Sequence, residues 1–396
     1  MFAQYIREHF NPRKVTVITS LYPPFPEDVQ QLWGGIEVDM ECLVNSFREI
    51  GIKTSIVAFD YIKPIEKNEA VYRVGQYYPY LLRESYKASI NFAYKEFFRP
   101  IIFFKLLRIL LKEKPDLVVV GKTYQFSLAL YLACSLLKIP YVVRYDWLCP
   151  TNPKPEICSF RDRLRCANCV EKITGLKIPL VAKIASSVYF MILFSLKKIF
   201  WNKSKGFFVV SDFYKRVAVS FGVKSSIIDV IPPETEIKVD PNVVEDLKNT
   251  YKPNGEKVIL YVGRLEPEKG VNILLDAFKN IKRSDVKLLM AGTGRLKDIV
   301  EVASRKDDRI VYLGLVPHDQ LGNYYAIADL VVVPSIVPEG YGLVVKEAMS
   351  LNKPIIGFEM GALIEILKDY DRGYLVKEVS AEALSKTIDR VLKNLT

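Results

Sequence analysis

Histidine is scarce in this chain: its 396 residues include two, His9 and His318, so a histidine base in the N-terminal half is not expected. Long apolar runs are scarce as well. A strongly apolar stretch, Leu180 to Phe200, is broken by Lys183 and closed by Lys197 and Lys198. Its charge-free core, Ile184 to Leu196, has 13 residues, short of the roughly 20 that a spanning helix needs. The stretch reads as a buried helix or one lying in a membrane surface. No secretory leader pattern opens the sequence, because Met1 to Phe10 is mixed and charged. A cytoplasmic setting is the expectation. No Gly-x-Gly-x-x-Gly follows the first strand, which argues against a dinucleotide oxidoreductase. No lysine-rich tail stands out, so the net charge of +11 is spread over a folded body.

A chain of this length suggests two domains. Half of it is hydrophobic, enough to bury cores and to exclude general disorder. The basic excess favours anionic partners: nucleotide phosphates, acidic lipid surfaces or nucleic acid.

The most informative stretch runs from Pro334 to Met349. It follows the β-branched run Leu330 to Val333, read as a buried strand, and precedes Leu343 to Leu351, read as a helix. Glu339 and Glu347 therefore flank a helix start just past a strand's carboxyl end, where open α/β sheets bind ligands. Ionised carboxyls only accept hydrogen bonds, which suits them to the vicinal hydroxyls of a sugar or ribose. The competing reading is two solvated surface glutamates.

Upstream, Val258 to Val262 reads as a buried strand followed by Gly263-Arg264-Leu265-Glu266-Pro267-Glu268-Lys269-Gly270. Helices and strands then alternate to residue 333, the pattern of a parallel doubly wound sheet. Arg264 and Lys269 suit a diphosphate, Arg through its fork of donors and Lys as a point charge. Either alone would read as a solvated loop cation. After the strand Pro354 to Phe358 comes Gly361-Ala362, and Ala381 to Leu395 reads as a terminal helix. Asp369-Tyr370-Asp371 reads as a surface turn rather than a metal site.

In the first half, strands are expected at Val15–Ser20, Lys53–Phe59, Leu117–Gly121, Pro140–Arg144, Gly206–Ser211 and Ile227–Ile231, with helices at Ile36–Ile50 and Ser127–Leu137. Gly34-Gly35 at a helix start exposes backbone N–H groups to an anion; a plain turn explains the pair equally well. Ile101 to Lys112 is apolar except for Lys105, Arg108 and Lys112 on one stripe. It reads as a basic amphipathic helix for an anionic membrane, or as a buried helix with a narrow wet edge. Cys149, Cys158, Cys166 and Cys169 fall in one loop and suit a structural Zn site; two disulfides or free thiols compete. Pro232-Pro233 marks a hinge.

Pro-Ser, then Pro-Glu-Gly-Tyr-Gly-Leu, then Lys-Glu-Ala-Met resembles the E-x7-E signature of retaining glycosyltransferases of family 4, which have the GT-B fold. Gly263 to Gly270 is similar to the family's G-R-x4-K-G motif. The resemblance covers most of residues 258–376, and is weaker at 15–60 and 115–150. It implies two Rossmann-like doubly wound domains facing across a cleft: residues 1–232 for the acceptor, 233–380 for the donor, and a helix at 381–396 returning to the first domain. It implies that Glu347 holds a ribose diol, that Arg264 and Lys269 hold the diphosphate, and that Glu339 contacts the donor sugar. Gly263, Gly342, Leu343, Gly361 and Ala362 would line the donor, and Gly34 and Gly35 would hold a phosphate or shape the acceptor mouth.

On the acceptor side the resemblance points to Asp146 and to Tyr145, which stands where many members have histidine; Asp146 can equally cap the following turn. At the hinge the family's Pro-Asn-Gly is replaced by Pro232-Pro233-Glu234, and its second Gly of a Gly-Gly pair by Ala362. The implied reaction moves a sugar, with retention, from a UDP- or GDP-sugar to a lipid-linked or polysaccharide acceptor, without a metal or other cofactor. The protein would lie at the inner face of the membrane, with no nucleic-acid partner. A nucleic-acid-binding cysteine knuckle is the rival reading, weakened because Phe160 alone accompanies Arg161, Arg163 and Arg165 in that loop.

Overall fold

A computed structural model describes residues 1–20, 22, 35–60, 71–76, 99–121, 126–145 and 180–395. The β-branched runs of the sequence form two sheets, and every described strand pairing is parallel. Parallel strands are covered on both faces, which is why they read as continuous apolar runs rather than alternating ones. The chain divides into two units, Met1–Glu234 and Thr235–Thr396.

The first unit contains α1 (Phe2–Phe10), β1 (Lys14–Ile18), α2 (Gly35–Glu49), β2 (Lys53–Asp60), β3 (Val71–Gln76), α3 (Pro100–Glu113), β4 (Leu117–Val120), α4 (Ser127–Leu136), β5 (Tyr141–Tyr145), α5 (Leu180–Lys203), β6 (Phe207–Val209), α6 (Asp212–Ser220) and β7 (Ile228–Val230). Its sheet has the order β3-β2-β1-β4-β5-β6-β7. The six expected strands are present within a few residues of their predicted limits. Two elements were not legible. β3 lies in a tyrosine-rich region without clear periodicity and is fixed by pairing to β2. α1 falls in the mixed and charged stretch Met1 to Phe10, for which no element was expected; Phe2, Ala3 and Ile6 are the residues it buries.

The second unit contains α7 (Pro241–Tyr251), β8 (Lys257–Val262), α8 (Val271–Asn280), β9 (Val286–Ala291), α9 (Lys297–Lys306), β10 (Ile310–Gly314), α10 (His318–Ile327), β11 (Leu330–Val333), α11 (Leu343–Ser350), β12 (Ile355–Phe358), α12 (Leu363–Lys368), β13 (Gly373–Val376) and α13 (Ala381–Asn394). The sheet order is β10-β9-β8-β11-β12-β13. Alternation along β8 sends Ile259 and Tyr261 to one face, with Leu274 and Phe278, and Val258 and Leu260 to the other, with Tyr325 and Val345. The buried face of α13, Leu384, Ile388, Val391 and Leu392, packs on α8 within the core of the second unit.

In each sheet the order reverses once, between β1 and β4 and between β8 and β11. Such switch points leave a crevice beyond the strands' carboxyl ends. The Arg264–Lys269 loop follows β8 and the Glu339 loop follows β11, so the topology itself brings them together.

Candidate functional site

The two loops meet by close backbone packing. Gly270 has φ 69°, and a Cβ there would lie 1.8 Å from the carbonyl oxygen of Pro334. No other residue type permits that approach. The Ile336 N–H donates to the Glu268 carbonyl at 3.0 Å, tying the loops a second time. Gly361, at φ 56°, lets the turn after β12 approach the backbone of Glu339, where a Cβ would stand 2.6 Å from the Glu339 carbonyl oxygen. The Ala362 N–H donates to that oxygen at 2.9 Å. The Ala362 amide, in the turn that the resemblance puts beside the donor, anchors the Glu339 loop.

The Glu339 side chain thus has a fixed origin. Its Oε1 accepts from the Lys269 ammonium at 2.6 Å and also from the Ser335 hydroxyl. Burial acts to raise the Glu339 carboxyl, but the charge and hydrogen bond of Lys269, the Ser335 hydroxyl and the Arg264 charge together hold it below the usual carboxylate value. It is therefore an anion at neutral pH. The pair remains within reach of solvent, with side-chain exposures of 26% for Lys269 and 15% for Glu339.

Arg264 projects from the same loop and is about half exposed; its guanidinium lies 3.6 Å from Glu268. Glu268 is buried and also accepts from Arg295 at 3.3 Å, while Arg295 bonds Glu266 as well. The Tyr261 hydroxyl donates to the Arg264 carbonyl at 2.7 Å, steadying the backbone that carries the cation. Gly263, at φ 154°, begins this loop, and Gly292 packs on its carbonyl.

Glu347 is in a different environment. It sits on α11 and is 2% exposed. Its Oε1 accepts from the Thr235 hydroxyl at 3.2 Å and lies 3.0 Å from His318 Nε2. Its Oε2 accepts from the Tyr325 hydroxyl at 2.7 Å. Burial, reinforced by the Glu347 charge, pushes the Tyr325 phenol well above its usual value, so it stays a donor. Gly342, at φ 83°, caps the helix, and Leu343 is its first residue.

His318, Tyr325 and Thr235 were not singled out from the sequence. His318 and Tyr325 lie 29 and 22 residues before Glu347, distances that no local pattern reports. Ser335 and Arg295 were missed too, though Ser335, four residues before Glu339, is in range of a local search.

In the first unit, Gly35 is the first residue of α2, while Gly34, Asp146 and the four loop cysteines lie outside the described residues. Tyr145, expected on the acceptor side, is buried among the rings of Trp201, Phe207 and Tyr214. A phenol, larger than the imidazole of the resembling family, fills the core here. Next to it, Arg144 makes a two-pronged pair with Asp39, each prong 2.9 Å. Asp39 also accepts the Glu234 N–H at 2.6 Å. Among the described residues no group of three His, Cys, Asp or Glu side chains is placed to hold a metal.

Comparison with known proteins agrees with this geometry. The family model Glycosyltransferase Family 4 matches residues 33–234, and Glycosyl transferases group 1 matches 243–395. An uncharacterised glycosyltransferase of Methanocaldococcus jannaschii is 31% identical over 45% of this chain and 50% of its own length. The lipopolysaccharide 1,2-N-acetylglucosaminetransferase of Salmonella typhimurium is 31% identical over 40% of this chain and 43% of its own. The phosphatidyl-myo-inositol mannosyltransferase of Mycobacterium leprae is 33% identical over 36% and 39%. The chain thus spans half or less of the length of these curated relatives. The crystal structure of Anabaena HepE in complex with UDP-glucose superposes with a TM-score of 0.65 at 15% identity, over 96% of this chain and 90% of that one. That likeness identifies the fold class as GT-B. With one family model alone matching half the sequence and a second matching most of the second unit, the chain belongs to glycosyltransferase family 4.

Proposed function

We propose that the protein transfers a sugar from a nucleotide-sugar donor to a lipid-linked or polysaccharide acceptor, with retention at the anomeric carbon. The observation that carries this reading is the Lys269–Glu339 pair at the β8/β11 switch point, 2.6 Å long and held by loops that only glycine permits. Lys269 has three donors, so it can keep Glu339 oriented while meeting a phosphate. Arg264 supplies a second cation with a planar fork. In this reading both hold the diphosphate and offset the negative charge it gains on leaving. Glu339 accepts from donor-sugar hydroxyls. Glu347 holds the ribose diol through Oε1, where the diol replaces Thr235 and His318, while Tyr325 keeps Oε2 fixed. Gly263, Gly342, Leu343 and Gly361 let backbone approach the donor. With no base assigned, the leaving phosphate takes the acceptor's proton.

The acceptor class is supported by relatives named for lipopolysaccharide and phosphatidyl-myo-inositol acceptors. A lipid-linked acceptor is reached most simply by a protein peripheral on the inner membrane face. A thermal-shift screen of UDP- and GDP-sugars tests donor and base, since a ligand that binds the native state raises the melting point. Glu339→Gln and Arg264→Ala should stay folded, each losing about 1 kcal/mol or less, and lose transfer. Near-wild-type turnover in both variants sinks the assignment.

A further inference from the structure

Within the first unit, α3, α4 and α5 lead from β3 to β4, β4 to β5 and β5 to β6, all in the same direction along the sheet. α2 leads the opposite way, from β1 to β2. Right-handed crossovers therefore set α3, α4 and α5 side by side on one face and α2 on the other. The packing agrees: α3 touches α4, α4 touches α5, and α1 touches α2. Exposed side chains of the three helices thus share one outward surface.

That surface is unusually apolar. Of the 22 exposed large hydrophobic residues among those described, three lie on α3, two on α4 and seven on α5, or 12 in all. On α5, Leu180, Ile184, Val188 and Ile192 recur at four-residue steps and are 73%, 58%, 43% and 49% exposed, which forms a single stripe. Phe104 on α3 is 66% exposed and Leu136 on α4 is 64% exposed.

Its charge is one-sided. The three helices contain a single carboxylate, Glu113, and it is held by Lys14 at 2.8 Å. Arg108, Lys112, Lys138 and Lys198 are exposed on the same helices or at their ends. α2, across the sheet, carries Glu41 and Glu49 outside its buried Asp39. A soluble surface rarely leaves so many apolar side chains together without a partner, and a cationic rim selects which partner. A second copy of this chain would set cations against cations. An anionic bilayer satisfies both features, taking the apolar side chains at the acyl boundary and the cations among headgroups. Among the described residues no helix is long and apolar enough to cross a membrane, so the helices would lie on it.

The geometry points to the α3–α4–α5 face as the docking surface for an anionic lipid bilayer. It rests on the lipid-acceptor reading for its purpose, but not for its test. Vesicle co-sedimentation of the full chain, without donor or acceptor, compares phosphatidylcholine vesicles with vesicles containing one-third phosphatidylglycerol. Binding is expected to the anionic vesicles, fading as salt rises. Arg108→Gln and Lys112→Gln should each lower partitioning about fivefold. Ile184→Ser with Ile192→Ser should lower it about tenfold or more, with transfer to a soluble acceptor unchanged.

Equal binding to neutral vesicles overturns the inference. So does a lack of vesicle binding, whether the protein is a monomer or a dimer that the serine variants dissolve; the dimer would make this face an interface between copies. Vesicle binding without transfer would discredit the catalytic reading and leave this one standing.

Discussion

Arg144 with Asp39 in the first unit, and Lys269 with Glu339 in the second, each join a cation to a carboxylate near the carboxyl ends of parallel strands. They differ in access and in what surrounds them. The side chains of Arg144 and Asp39 are 1% and 3% exposed; the Phe2 ring lies 4.9 Å from the guanidinium, and the Glu234 N–H takes a further lone pair. Lys269 and Glu339 stay partly open, on loops pinned by Gly270 and Gly361. A pair closed on every side ties α2, β5 and the end of the first unit together. A pair with an open side can exchange a contact for a ligand. Similar chemistry thus closes on itself in one unit and stays open to exchange in the other, and accessibility makes the difference.

Substitutions sharpen that contrast. Asp39→Ala should have the largest effect on stability, about 3–5 kcal/mol, because it strands a buried guanidinium. Urea denaturation measures it, and a loss under about 1 kcal/mol would mean that the pair is not structural. Lys269→Ala should reverse the pattern. Stability should fall by about 1 kcal/mol or less for a pair still reached by water, whereas kcat/KM should fall about 100- to 1000-fold if a charge-stabilising donor is lost.

The same variant has a pH signature. The Glu339 carboxyl is held below its ordinary 4.5, so the contribution of the pair is complete above about that pH. It is lost as pH falls through the lowered folded value. The stability difference between wild type and Lys269→Ala should shrink over that acid window; a constant difference contradicts the pairing.

Tyr325→Phe comes next. It removes one donor from the buried Glu347, at about 1–3 kcal/mol, and should raise the donor KM more than it lowers kcat. A kcat loss with unchanged KM would place Glu347 away from the donor. The smallest effect is expected for Ile184→Ser, whose exposed site should change stability by no more than about 0.5 kcal/mol.

Much of this was legible in the residues. Buried parallel strands announce themselves as apolar β-branched runs, so β8, β11 and β12 were found close to their limits. Gly263, Gly270 and Lys269 stand in one local motif, and a motif survives in sequence because its parts are set by one turn of backbone. β3 was not legible, since its pairing with β2 rather than its own pattern makes it a strand. The terminal helix was legible as a helix, whereas its packing on α8 was not, because amphipathicity reports a buried face and not what covers it.

By itself the sequence determined which residues are charged, which turns need glycine, and where strands and helices fall, because these depend on neighbours a few positions away. Only the tertiary structure decided that Lys269 binds Glu339, that His318 and Tyr325 surround Glu347, and that Tyr145 turns inward. Those contacts join residues from about 20 to 70 positions apart or fill a core, and burial and hydrogen-bond satisfaction act on distance in space rather than along the chain.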